Sequence, residues 1–190
     1  MTVARDALHA LQALASQWMD SEREGIALIE GFESALLAAR AQPAPAPPSS
    51  NDGVMQRFGG GSSTRSKMDP WLLEDLFAQS KALRSRFHEL LSAMYAQQDA
   101  VSDALVEHDS NDSDSDDGTL RVDDYAQHIA QQVATYEAEF QHIEALLAAM
   151  TFEITTDELR TLAISWSTSP FLDPEHSRAF RQRRQQQEQQ

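Results

Sequence analysis

The sequence predicts an all-α protein: an elongated helical bundle or coiled coil of three long helices plus a short C-terminal helix, with disordered linkers and tail. Three observations carry that expectation. Apolar residues recur in steps of three and four along three long segments, two polar connectors rich in helix breakers separate those segments, and helix-start signals stand where two of the helices should begin.

The first helix occupies residues 1–41. Leu8, Leu11, Trp18, Ile29, Phe32 and Leu36 share one seam, with Ala15 and Ala39 in the same register. Glu22 and Gly25 fall on that seam and weaken its middle. Gly25 and Gly31 each cost a helix about 1 kcal/mol relative to alanine, so a bend or a close helix crossing is expected there. Residues 42–68 read as a disordered linker. Pro43, Pro45, Pro47 and Pro48 forbid helix, Gly59, Gly60 and Gly61 add flexibility, and Val54, Met55 and Phe58 are too few to offset the ordering entropy.

Asp69-Pro70 supplies an N-cap and a first-turn proline for the second helix, residues 69–107. Leu73, Leu76, Leu83, Phe87, Leu90, Met94 and Val101 form its seam, interrupted by Ser80 and Gln97. An acidic loop, residues 108–119, comes next, in which like charges and short polar side chains favour an extended, solvated chain. The third helix, 120–150, has the fullest stripe: Val122, Tyr125, Ile129, Val133, Tyr136, Phe140, Ile143, Leu147 and Met150. Within residues 151–169, Thr155 and Glu158 match a capping box, Leu159, Leu162 and Trp166 line one side of a short fourth helix expected to cap one end of the bundle, and Phe152 and Ile154 precede it as staple residues. Ser169-Pro170 ends that helix. Asp173-Pro174 offers one more helix start, but residues 170–190 read as a polar tail, because from Arg181 onward arginine and glutamine leave no apolar face.

Bulk composition bounds the function. At 190 residues with 41% hydrophobic and 24% charged side chains, one domain with tails can bury a core. The formal net charge of −15 and a pI near 4.6 disfavour phosphate backbones and anionic membranes as partners of the whole molecule, and favour basic protein surfaces. The chain contains no cysteine, which points to a reducing compartment. The first fifteen residues include Arg5, Asp6 and His9 and read as amphipathic helix, not as a signal peptide. No stretch reaches the ~18 apolar residues of a membrane span. An intracellular, cytoplasmic or nuclear protein is expected.

No constellation for catalysis emerges. The six histidines, His9, His88, His108, His128, His142 and His176, form no zinc-protease motif. Glu139 and His142 make a single Glu-x-x-His pair with no second copy, and both are expected as surface polar residues flanking Phe140. An EF-hand frame starting in the acidic loop would place Ser113, Ser115, Asp117 and Asp124 at ligand positions, with serines where carboxylates belong. The glycine-rich stretch from Gly59 to Lys67 lacks the Gly-Lys-Ser/Thr ending of a phosphate loop, so it reads as linker, with docking or phosphorylation as its functional alternative. Arg178, Arg181, Arg183 and Arg184 form a basic cluster in which only Phe180 is aromatic, weak support for nucleic-acid stacking.

The expected function is therefore a non-enzymatic scaffold or adaptor subunit of a larger helical complex, without cofactor or metal, binding other helical subunits or itself. Trp18, Phe32, Trp71, Phe87, Tyr125, Tyr136, Phe140 and Trp166 are the candidates for partner contact, each with a core position as its alternative. Ser113 and Ser169 are candidate phosphosites, one beside acidic residues and one before proline. The alternative is a small regulatory bundle switched by phosphorylation or cation binding at the acidic loop.

Overall fold

The computed structural model describes residues 2–41, 70–109, 120–172 and 174–188. They form five helices: α1 (Thr2–Arg40), α2 (Pro70–Asp109), α3 (Val122–Ala149), α4 (Thr156–Ser167) and α5 (Pro174–Glu188). Among the described residues there is no strand, so the all-α expectation holds. The predicted linker at 42–68, Asp69 and most of the acidic loop lie outside the described residues.

Contacts between helices fix their directions. Phe32 of α1 meets Phe77 of α2 with ring centroids 5.9 Å apart, while Trp18 meets Phe87 at 4.7 Å, so α1 and α2 run antiparallel. Arg84 Nε donates to Glu144 at 2.6 Å and Tyr95 donates to Glu137 at 2.6 Å, which makes α2 and α3 antiparallel as well. The seams close on each other. Every residue of the predicted α3 stripe is buried, as are Leu83, Phe87, Leu90, Met94 and Val101 of α2. Leu73 and Leu76, near the start of α2, are half-buried, and Ala39 is exposed because α1 is about to end.

α4 does not cap the end of the long helices but lies along α1. Arg160 reaches Glu33 at 2.9 Å, and a Cβ on Gly25 would stand 2.5 Å from Cζ2 of Trp166. Gly25 therefore marks a close approach: the missing side chain is the space that the Trp166 ring occupies. Gly31 has no such role, since a Cβ there would meet Leu76 only at ordinary distance, 3.5 Å. At the other end of α4 the capping box forms as predicted, with Thr155 N donating to Glu158 Oε2 at 2.8 Å and Glu158 N donating back to Thr155 Oγ1 at 3.3 Å. Arg40 ties the same end to α1 by donating to the carbonyls of Phe152 and Ile154.

The expected tail contains a helix. In α5, Phe180 is buried; its ring stacks on His128 at 3.9 Å and meets Tyr125 edge-on at 5.4 Å. One aromatic anchor against α3 supplies what the Arg/Gln sequence lacks on its own. Arg178, Arg181 and Arg183 stay exposed on this helix.

Candidate functional site

Where α4 gives way to α5, the chain crosses a buried polar cluster in the middle of the molecule. Its apolar frame is aromatic. Trp18, Phe87, Tyr136 and Trp166 come from four different helices, and Trp18 lies 5.1 Å from Tyr136 and Phe87 6.1 Å from Trp166 between ring centroids. One turn beyond Trp18, Glu22 is buried and accepts a hydrogen bond from Trp18 Nε1 at 3.0 Å. Its Oε1 also accepts from the Ser169 hydroxyl at 3.2 Å. Glu139 of α3 is fully buried, with 0% of its surface exposed, and its Oε2 accepts from the Phe171 backbone N–H at 3.1 Å. Among the described residues its Oε1 has no hydrogen-bond partner, and neither has the buried Trp166 Nε1.

The electrostatics arise from burial. Removal from water pushes the Glu22 carboxyl above its ordinary range, and the nearby Glu139 charge raises it further, against the hydrogen bonds from Trp18 and Ser169. Burial raises Glu139 likewise, opposed by the Phe171 N–H and by His142. The Tyr136 phenol is pushed up to about 12, first by burial and then by Glu22. One turn donates to both carboxylates, through the Ser169 hydroxyl to Glu22 and through the Phe171 N–H to Glu139.

The turn itself is strained. Ser169 has φ 38°, the left-handed region, and it directly precedes proline, a position that prefers extended backbone. Two local bonds hold the bend, Ser169 N to Trp166 O and Leu172 N to Ser169 O, each 3.1 Å. His142, half-buried, lies within 3.3 Å of the Ser165 hydroxyl and packs its ring edge-on to Phe171. The Glu-x-x-His pair is thus not a pair of surface residues. Glu139 is interior because the returning 168–172 turn covers it, and His142 packs beneath the same turn. Among the described residues, no group of three or more His, Asp or Glu side chains is placed to hold a metal ion.

Of the candidate contact residues, Trp18, Phe32, Phe87, Tyr125, Tyr136, Phe140 and Trp166 are buried by their own chain and offer no surface to a partner in this state. Trp71 is different, at 72% exposed. It stands at the end where α1 stops and α2 begins, together with exposed Leu37, Leu72 and Phe152. Phe152 packs its ring 4.6 Å from Phe77 and leaves an outer face open. The sequence singled out Trp71, read Phe152 as a staple residue and passed over Leu37, because nothing local distinguishes an outward apolar residue at a helix end from an inward one. Around the side of this end, Ala149, Ile154 and Leu162 floor an open groove of about 550 Å³ with Glu153, Asp157 and Glu158 at its rim.

Of the two phosphosite candidates, Ser169 is half-buried in the turn and Ser113 lies outside the described residues. Among the described residues no helix is long and apolar enough to cross a membrane. No family model matches the chain, and no curated protein or solved structure matches it significantly.

Proposed function

We propose that this chain is a non-enzymatic interaction subunit, a scaffold or adaptor in a larger intracellular helical assembly. Its three long helices form an elongated bundle, and the apolar end around Trp71 is the contact surface. The observation that carries this reading is the contrast, among the described residues, between a closed aromatic interior and the apolar side chains exposed around Trp71. Every aromatic residue of the long seams is covered, whereas Leu37, Trp71, Leu72 and Phe152 remain exposed at the junction of α1 and α2. Exposed tryptophan is costly to leave in water and is enriched where partners bind. The acidic rim of Glu153, Asp157 and Glu158 beside it, and the net charge of −15, suit a partner with basic residues around an apolar contact.

The test is a pair of substitutions, Trp71→Ala and Leu72→Ser, made in the full chain and returned to its own cells. Stability of the purified variant should stay within about 0.5 kcal/mol of wild type, as for other surface changes. Chains that co-purify with the wild type should be lost from the variant. A wild type that recovers no partner and sediments as a monomer counts against the proposal.

A further inference from the structure

We propose that Ser169 is a phosphorylation site whose modification releases the α4–α5 turn from the buried carboxylates and undocks α5. This goes beyond the interaction reading and does not depend on it. Ser169-Pro170 is the one serine- or threonine-proline pair in the sequence. A proline-directed kinase reads that pair in extended form, and the folded chain holds it bent at φ 38° against the preference of a pre-proline residue. Besides its two local backbone bonds, the bend is tied down by two bonds to buried acids: the Ser169 hydroxyl on Glu22 at 3.2 Å and the Phe171 N–H on Glu139 at 3.1 Å. Thr168, Pro170 and Phe171 are exposed, so local opening of this turn presents the pair without unfolding the core.

The chemistry is ordinary phosphoryl transfer. Ser169 Oγ attacks the γ-phosphorus of a nucleoside triphosphate held by a protein kinase. The Oγ–P bond forms and the bond from phosphorus to the β–γ bridging oxygen breaks. The nucleoside diphosphate leaves, and the hydroxyl proton passes to the kinase's base and then to solvent. The structural consequence is particular to this turn. The hydroxyl that donated to Glu22 is gone, and a group of charge about −1.5 to −2 would sit against two carboxylates. Reclosure is blocked, Glu139 loses the Phe171 N–H, and α5 loses the closed turn that sets Phe180 against Tyr125 and His128.

The experiment phosphorylates the full chain with a proline-directed kinase and magnesium ATP, maps the product by mass spectrometry, and tracks amide hydrogen exchange before and after phosphatase treatment. The expected result is one phosphoryl group at Ser169. Exchange over 168–188 should accelerate at least tenfold, α1–α3 should stay protected, and phosphatase should reverse the change. Ser169→Ala should take up no phosphate and keep its core protection. Phosphorylated Glu22→Gln should retain more protection over 168–188 than the phosphorylated wild type. The proposal is overturned if the folded chain is not modified while a peptide of residues 163–176 is. It is equally overturned if the phosphorylated chain exchanges like the unmodified one, or if Glu22→Gln makes no difference.

Discussion

Replacing Gly25 with alanine tests the α1–α4 crossing through the sign of its effect. In an open helix the change would stabilise by about 1 kcal/mol, the helix-propensity difference between the two residues. Here the new methyl would stand 2.5 Å from Cζ2 and 2.6 Å from Cη2 of Trp166, where carbon atoms normally rest about 3.5–4.0 Å apart. The ring must therefore move by about 1 Å, and it is fully buried, with Phe87 on one side and Leu83 itself 3.2 Å from the new methyl. Overpacking of this kind costs about 1–3 kcal/mol and occasionally more. Set against the propensity gain, Gly25→Ala should come out destabilising by about 1 kcal/mol, toward 2 if the backbone cannot yield. Gly31→Ala, facing Leu76 at 3.5 Å, should gain up to about 1 kcal/mol. Urea unfolding monitored by far-UV circular dichroism measures both, and Gly25→Ala combined with Trp166→Leu should couple favourably in a double-mutant cycle. A Gly25→Ala protein more stable than wild type would refute the close approach.

The other predictions concern the buried acids and the α3 stripe. Glu22 and Glu139 both have folded pKa values raised above their unfolded ones, so the stability linked to them is complete below the unfolded range and is lost as pH rises through the folded values. Unfolding free energy should accordingly decline as pH rises above the ordinary carboxyl range, by up to about 1.4 kcal/mol per pH unit for each proton released. Glu139→Gln should flatten that decline; an unchanged slope would mean that these carboxyls do not titrate in the folded chain. Phe140→Ala should cost about 3–5 kcal/mol of stability in the isolated chain, because the ring is only 8% exposed within it. A loss near zero in the same urea titration would mean that the α3 face is not covered intramolecularly.

Much of the fold was legible because helix seams are local patterns. The α3 stripe is buried at every predicted position, Thr155 and Glu158 cap α4 from three residues apart, and of the two glycines read as a bend or a close crossing, Gly25 makes the crossing while Gly31 does not. What stayed hidden depends on distant segments. Glu139 looked like surface because its cover, the Phe171 N–H, is 32 residues away, and Glu22 looked like a defect in a seam because Ser169 is 147 residues away. The docking of α5 was missed for a related reason: a single Phe180 among arginines and glutamines carries no periodicity, and only its stacking on His128 reveals an anchor. Of the eight aromatic candidates for partner contact, seven lie in the interior. Composition separates oily from polar side chains; it does not separate a core from an interface, since both hide the same surface.

The most direct test is native mass spectrometry of the chain purified from its own cells, wild type beside Trp71→Ala. An interaction subunit predicts a defined complex for the wild type and a shift to the lone 21.2 kDa chain for the variant, with its helix content unchanged. Recovery of the wild type as that same lone chain, or of one identical complex from both proteins, would contradict the role given to the open end of the molecule.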